Sequence, residues 1–117
     1  MNKLIAAAIA AVALSGAVAL AQTNHSGHGE MSPASQAYMD AMTKMDADMG
    51  AMAMTGKPGA DFALMMIPHH QSAIDMARAY LASGDNDPEL TKLSNEIVAA
   101  QETEIAFLQD WLKRNGN

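Results

Sequence analysis

Tyr38, Met42, Met45, Met49 and Met52 recur at spacings of 4, 3, 4 and 3, and a second stretch repeats the rhythm with Phe62, Met66, His69, Ala73, Met76 and Tyr80. At about 100° per residue each set occupies a narrow stripe on one helix face. Such a stripe ordinarily carries leucine, isoleucine and valine. Thioethers and an imidazole in their place are soft and borderline donors, suited to Cu(I) first and, through imidazole, to Cu(II). Zinc favours cysteine, histidine and carboxylate, so this donor set argues against it.

The adjacent histidines divide the task. Neighbours on a helix point about 100° apart, so His69 and His70 do not readily serve one ion from one face. His69 falls in the stripe, with Met65 and Met66 one turn earlier and Met76 two turns later; His70 falls at its edge. The expected site is His69 with Met65 or Met66, completed by Met45 or Met49 of the other helix. His70 would serve a second ion or an outer position. The bland alternative for His69 is a core imidazole bonded to Glu104 or Gln101. The two readings combine, because a ligating imidazole usually donates its other N–H to a nearby acceptor.

For the methionines the bland alternative is packing, since methionine fills irregular cores. One or two positions would be explained that way. Met39, Met42, Met45, Met49, Met52 and Met54 in so short a stretch are not, because leucine specifies a core better. The chain has no cysteine, and thioether and imidazole donors avoid disulfide chemistry in an oxidising compartment, although thioethers still oxidise to sulfoxide.

The elements that must hold these residues follow from the punctuation. Met1-Asn2-Lys3, the apolar run Leu4–Leu14 and Ala19-Leu20-Ala21 read as a secretory signal peptide over residues 1–21, which predicts a periplasmic protein with no membrane segment after cleavage. Residues 22–32 are polar and aperiodic, a His/Gly tail carrying His25 and His28. Cleavage after Ala21 makes His25 the fourth residue. That is one position too late for a square-planar Cu(II) site built on the free amine, and a solvated tail is the plainer reading.

Residues 33–115 form the domain. Ser32-Pro33 predicts a helix start, running to about Met54 and stopped by Thr55-Gly56-Lys57-Pro58-Gly59. Asp61 is expected to cap a second helix from Phe62 to Ser83, kinked at Pro68. Asp87-Pro88 starts a third, to about Arg114, with Leu90, Leu93, Ile97, Gln101, Glu104, Leu108 and Trp111 as its seam. The sequence thus predicts an all-α, antiparallel three-helix bundle, incomplete enough to form a homodimer.

The formal net charge of −6, one unit more negative without Lys3, argues against nucleic acid and anionic membranes as partners. No Glu-x-x-His pair of the di-iron type, phosphate loop or Ser-His-Asp arrangement is present, so no enzymatic turnover is expected.

Asp61-Phe62-Ala63-Leu64-Met65-Met66-Ile67-Pro68-His69-His70-Gln71-Ser72-Ala73-Ile74-Asp75-Met76-Ala77 resembles the double-histidine block of the CopM-like family of bacterial periplasmic copper-binding proteins, built on a domain of unknown function. Ile97-Val98-Ala99-Ala100-Gln101-Glu102-Thr103-Glu104-Ile105, followed by Trp111-Leu112, is similar to that family's second block. The resemblance implies a ferritin-like helical bundle, export, and copper binding or resistance through Met65, Met66, His69, His70 and Met76. Met42, Met45, Met49 and Met52 match in character only. The resulting expectation is a protein that buffers or transfers copper, with a copper-transfer protein as partner. The rival is a non-metal helical interaction or dimerisation module with a Met-rich docking face.

Overall fold

The computed structural model describes residues 29–116, and the expected signal peptide (residues 1–21) and tail histidines His25 and His28 lie outside them. Three helices make up the fold: α1 (Pro33–Gly50), α2 (Pro58–Ala82) and α3 (Pro88–Asn115). Each begins with proline at its first turn, where the missing N–H removes nothing that the helix needs. Ser32 caps α1 by accepting from the Ser35 N–H at 3.0 Å, and Asp87 caps α3 by accepting from Glu89 and Leu90 at 3.0 and 2.9 Å. Lys113 and Arg114 fall in the last turn of α3, where cations favour the negative helix end.

Two expected boundaries move. α1 ends at Gly50, short of Met54, so Met52 and Met54 lie beyond the helix. α2 starts at Pro58 rather than Phe62, with Lys57 as its N-cap residue and no side-chain cap. Asp61 turns back instead to the connecting loop, accepting from the N–H and hydroxyl of Thr55, both at 2.7 Å, and from the Gly56 N–H at 3.1 Å. Those bonds, the Thr55 N–H first and its hydroxyl next, hold the Asp61 carboxyl below the usual aspartate range. Gly56, at φ 79°, takes the left-handed turn that the reversal requires.

α2 is the centre of the bundle, and it runs unbroken through Pro68, whose ring leaves the Leu64 carbonyl without its usual partner. α1 packs on one side of it and α3 on the other; no Cα of α1 comes within 8 Å of one of α3. The core is small and made largely of alanine: Ala41 from α1, Ala60, Ala63, Ile74 and Ala77 from α2, and Leu108 from α3. Alanines let helices approach closely and bury little apolar area each, so this core needs every contact it has. The α3 seam is buried only in part: Leu108 is enclosed, while Leu90, Leu93 and Glu104 are exposed.

Candidate metal-binding face

The histidine pair is split as its 100° offset demands, but in the opposite sense to the expected one. His70 is buried, 8% exposed, on the α3 side of α2. Its Nε2–H donates to the Glu104 carboxylate at 2.5 Å, joining α2 to α3. His69 is exposed. The buried α2 stripe is Ala63, His70, Ile74 and Ala77, at spacings of 7, 4 and 3. Phe62, Met66, His69, Ala73, Met76 and Tyr80, read as an inward seam, instead lie about 60–140° away on the flank left open between α1 and α3. Glu104, expected opposite His69, meets its neighbour, and Gln101 makes no bond to either ring.

Met65 and Met66 divide in the same way. Met66 lines a cleft of about 240 Å³ with Phe62, His70, Glu104, Phe107 and Leu108, between α2 and α3. Met65 lies two turns before Ser72, on the side facing α1, where the Ser72 hydroxyl donates to the Ala41 carbonyl at 3.5 Å. With Glu104 holding Nε2, Nδ1 is the atom of His70 that remains for a metal, and Met66 is the thioether beside it.

On α1, Tyr38, Met42, Met45 and Met49 fall within about 60° of one another. Tyr38 borders a cleft with Ala73 and Met76 of α2, and Met45 lies beside Pro68 and Ser72. This edge of α1 therefore runs along the open α2 stripe. Taking the Ser72–Ala41 bond as register for antiparallel helices, Met45 is level with Pro68, Met49 with Leu64 and Met42 with Gln71. Met42, Met45, Met49, Met65 and His69 thus gather within about two turns. Met76 lies at the far end of this stripe, seven residues or about 10.5 Å of helix rise beyond His69 and about 7.5 Å beyond the level of Met42. Met52 is not brought to this group: it borders the opposite groove with Ile67, Pro68, Ile105 and Gln109.

None of the ten described methionines is buried. The fully buried core is filled by alanine, Ile74 and Leu108, while Met45, Met49, Met52, Met65 and Met66 are half-buried at its margins. No cluster of three or more His, Asp or Glu side chains able to hold a metal occurs among the described residues. The donors that do converge are thioethers and one imidazole. Nearby charge is compensated locally. Lys44 donates to Asp48 at 2.5 Å, and that bond, with the attraction of the Asp48 charge, raises the pKa of Lys44. Arg78 pairs with Glu102 between α2 and α3.

Phe107, which faces Phe62 across the α2–α3 cleft, stands outside the α3 seam expected from sequence. Its place three residues after Glu104, one turn along the same helix, is the signal that could have found it.

The fold and this face define an all-α, three-helix bundle with a thioether–imidazole edge on its open side. No helix of the described residues is long and apolar enough to cross a membrane. The chain belongs to the family described as a domain of unknown function, DUF305, whose sequence profile matches residues 6–112. No curated protein sequence matches it.

Proposed function

We propose that this protein binds Cu(I) on the open edge shared by α1 and α2, through His69 and Met65 with Met42, Met45 and Met49, and that it buffers copper or hands it on without catalysing a reaction. The observation that carries the reading is that every described methionine is exposed or half-buried while alanines fill the core. Thioethers at the surface are accessible as ligands, and soft neutral donors select Cu(I) over the hard cations that an acidic surface otherwise collects. Met66 and the free Nδ1 of His70 form a second candidate pair, oriented by Glu104 as a ligating imidazole is by its acceptor. The similarity to the CopM-like copper-binding proteins supports the same function, and with it a periplasmic location reached by a cleaved signal peptide and delivery to a copper-transfer protein.

Anaerobic titration with Cu(I) against a chromophoric chelator tests the site. His69→Ala with Met65→Leu is expected to weaken binding at least about tenfold, equivalent to about 1.4 kcal/mol. Met52→Leu is expected to leave it unchanged. Failure of the unaltered protein to compete for Cu(I) would overturn the reading.

A specific observation supports a second reading, a docking module. Phe62 and Phe107 are 62% and 61% exposed on either side of the same cleft. Association that copper and chelators leave unaffected, in a protein that does not compete for Cu(I), would put that reading first.

A further inference from the structure

The open flank of α2 is apolar, and along Phe62, Met66, His69, Ala73, Met76 and Tyr80 it carries no Asp, Glu, Lys or Arg in a chain of net charge −6. At about 200 Å² per phenylalanine, Phe62 and Phe107 alone leave on the order of 240 Å² bare. Met42, Met76 and Leu93, 41%, 36% and 49% exposed, extend the face along both flanking helices to roughly 500 Å², near the top of what a monomer ordinarily shows. Two such faces together remove about 1,000 Å² from water, the lower bound of area for a specific, weak interface.

The face is also complementary to itself. Ala73, near its centre, is the smallest side chain of the stripe. The His70–Glu104 bond sets Phe107 level with the His69 end of α2, beside Phe62 and Met66, while Leu93 lies towards the Tyr80 end. Turning a second copy about a twofold axis at Ala73 therefore lays the Phe62–Phe107 end of one copy on the Leu93–Tyr80 end of the other. The same rotation sets residue 69 opposite residue 77, within one position of Met76. Along this stripe of α2 the imidazole nearest Met76 is His69, about 10.5 Å away in rise.

We infer that a second copy of this chain docks antiparallel across the α2 stripe about Ala73, and that His69 of one copy and the partner's Met76 close a shared Cu(I) site. The second part rests on the copper reading above; the first does not.

Sedimentation velocity of the purified, metal-free protein in chelator separates them. The expected result is a dimer across the micromolar range that becomes a monomer in Ala73→Arg and in Phe107→Glu. Far-ultraviolet circular dichroism and thermal melting verify that both variants stay helical. Phe107 is exposed in the monomer, so its substitution leaves the core intact even if Ala73→Arg does not. A monomer at every concentration, or a dimer that persists in both variants, overturns the docking surface. In the Cu(I) titration, Met76→Ala is expected to lose about tenfold in affinity while remaining dimeric. Unchanged affinity, or a dimeric protein that binds no Cu(I), overturns the shared site and leaves the docking surface standing.

Discussion

Replacing Glu104 by alanine removes the acceptor that ties the buried imidazole of α2 to α3. The His70 side chain is 10% exposed and that of Glu104 57%, so the variant leaves a shielded Nε2–H beside a space that water can enter. A buried donor left without its partner costs about 1–3 kcal/mol. Because the carboxylate side of the bond is already wet, the lower part of that range applies, about 1–2 kcal/mol. In a domain of this size, each kcal/mol lowers Tm by about 4–8 °C, giving a fall of roughly 5–15 °C. One effect works in the opposite direction. Removing a negative charge from a chain of net charge −6 relieves self-repulsion. Glu102→Ala controls for it, since it removes the same charge two residues earlier on α3 and breaks only the exposed pair with Arg78, worth about 0–1 kcal/mol. Glu104→Gln keeps an acceptor oxygen and is expected to fall between the unaltered protein and the alanine variant. The assay is urea unfolding at pH 7 followed by helical circular dichroism, with a His70→Ala double-mutant cycle to isolate the coupling. Equal losses in Glu104→Ala and Glu102→Ala would refute the reasoning, because the buried end of the bond would then contribute nothing beyond a surface ion pair.

Four further outcomes follow from particular contacts. Ile74, 1% exposed, is the largest fully buried side chain, so Ile74→Ala is expected to cost about 2–5 kcal/mol in chemical denaturation. At Gly59 an added Cβ would sit 2.9 Å from the Trp111 ring, a rigid neighbour, so Gly59→Ala is expected to destabilise by about 1–3 kcal/mol before a helix-propensity gain of about 1 kcal/mol. Gly50→Ala meets nothing within 4 Å and is expected to be neutral or slightly stabilising; the reverse order in thermal melts would overturn both assignments. The Asp61 carboxyl titrates below its ordinary value of 3.8, so its contribution is present above that pH and is lost as pH falls through the lowered folded value. The stability gap between the unaltered protein and Asp61→Asn should therefore be full at pH 6 and close towards pH 2, and a gap independent of pH would contradict the loop bonds. Burial, and next the charge of Asp85, push the Tyr80 hydroxyl up. The unaltered protein should thus lose stability relative to Tyr80→Phe as pH rises above about 10, and parallel curves there would contradict that placement.

What the sequence determined by itself is local. Ser32 and Asp87 cap helices through bonds that reach only two or three residues along the chain, and proline after each fixes the first turn, so two helix starts are legible without a fold. The 3.6-residue rhythm of the methionines likewise defines one stripe on α1 and one on α2. Asp61 misled because an aspartate before an apolar run is equally able to cap a helix or brace a loop, and Thr55 and Gly56 take its oxygens.

Which stripe turns inward was decided only in three dimensions. Hydropathy marks Phe62, Met66 and Met76 as the interior, yet close approach of helices selects small residues, and Ala63, Ala77 and Ile74 take α3 while the larger thioethers are left at the edge. A rotation of about 100° exchanges the roles of His69 and His70, and no local interaction distinguishes the two phases. The flanking helices do, by occupying opposite sides of α2 and leaving its Met-rich flank between them uncovered.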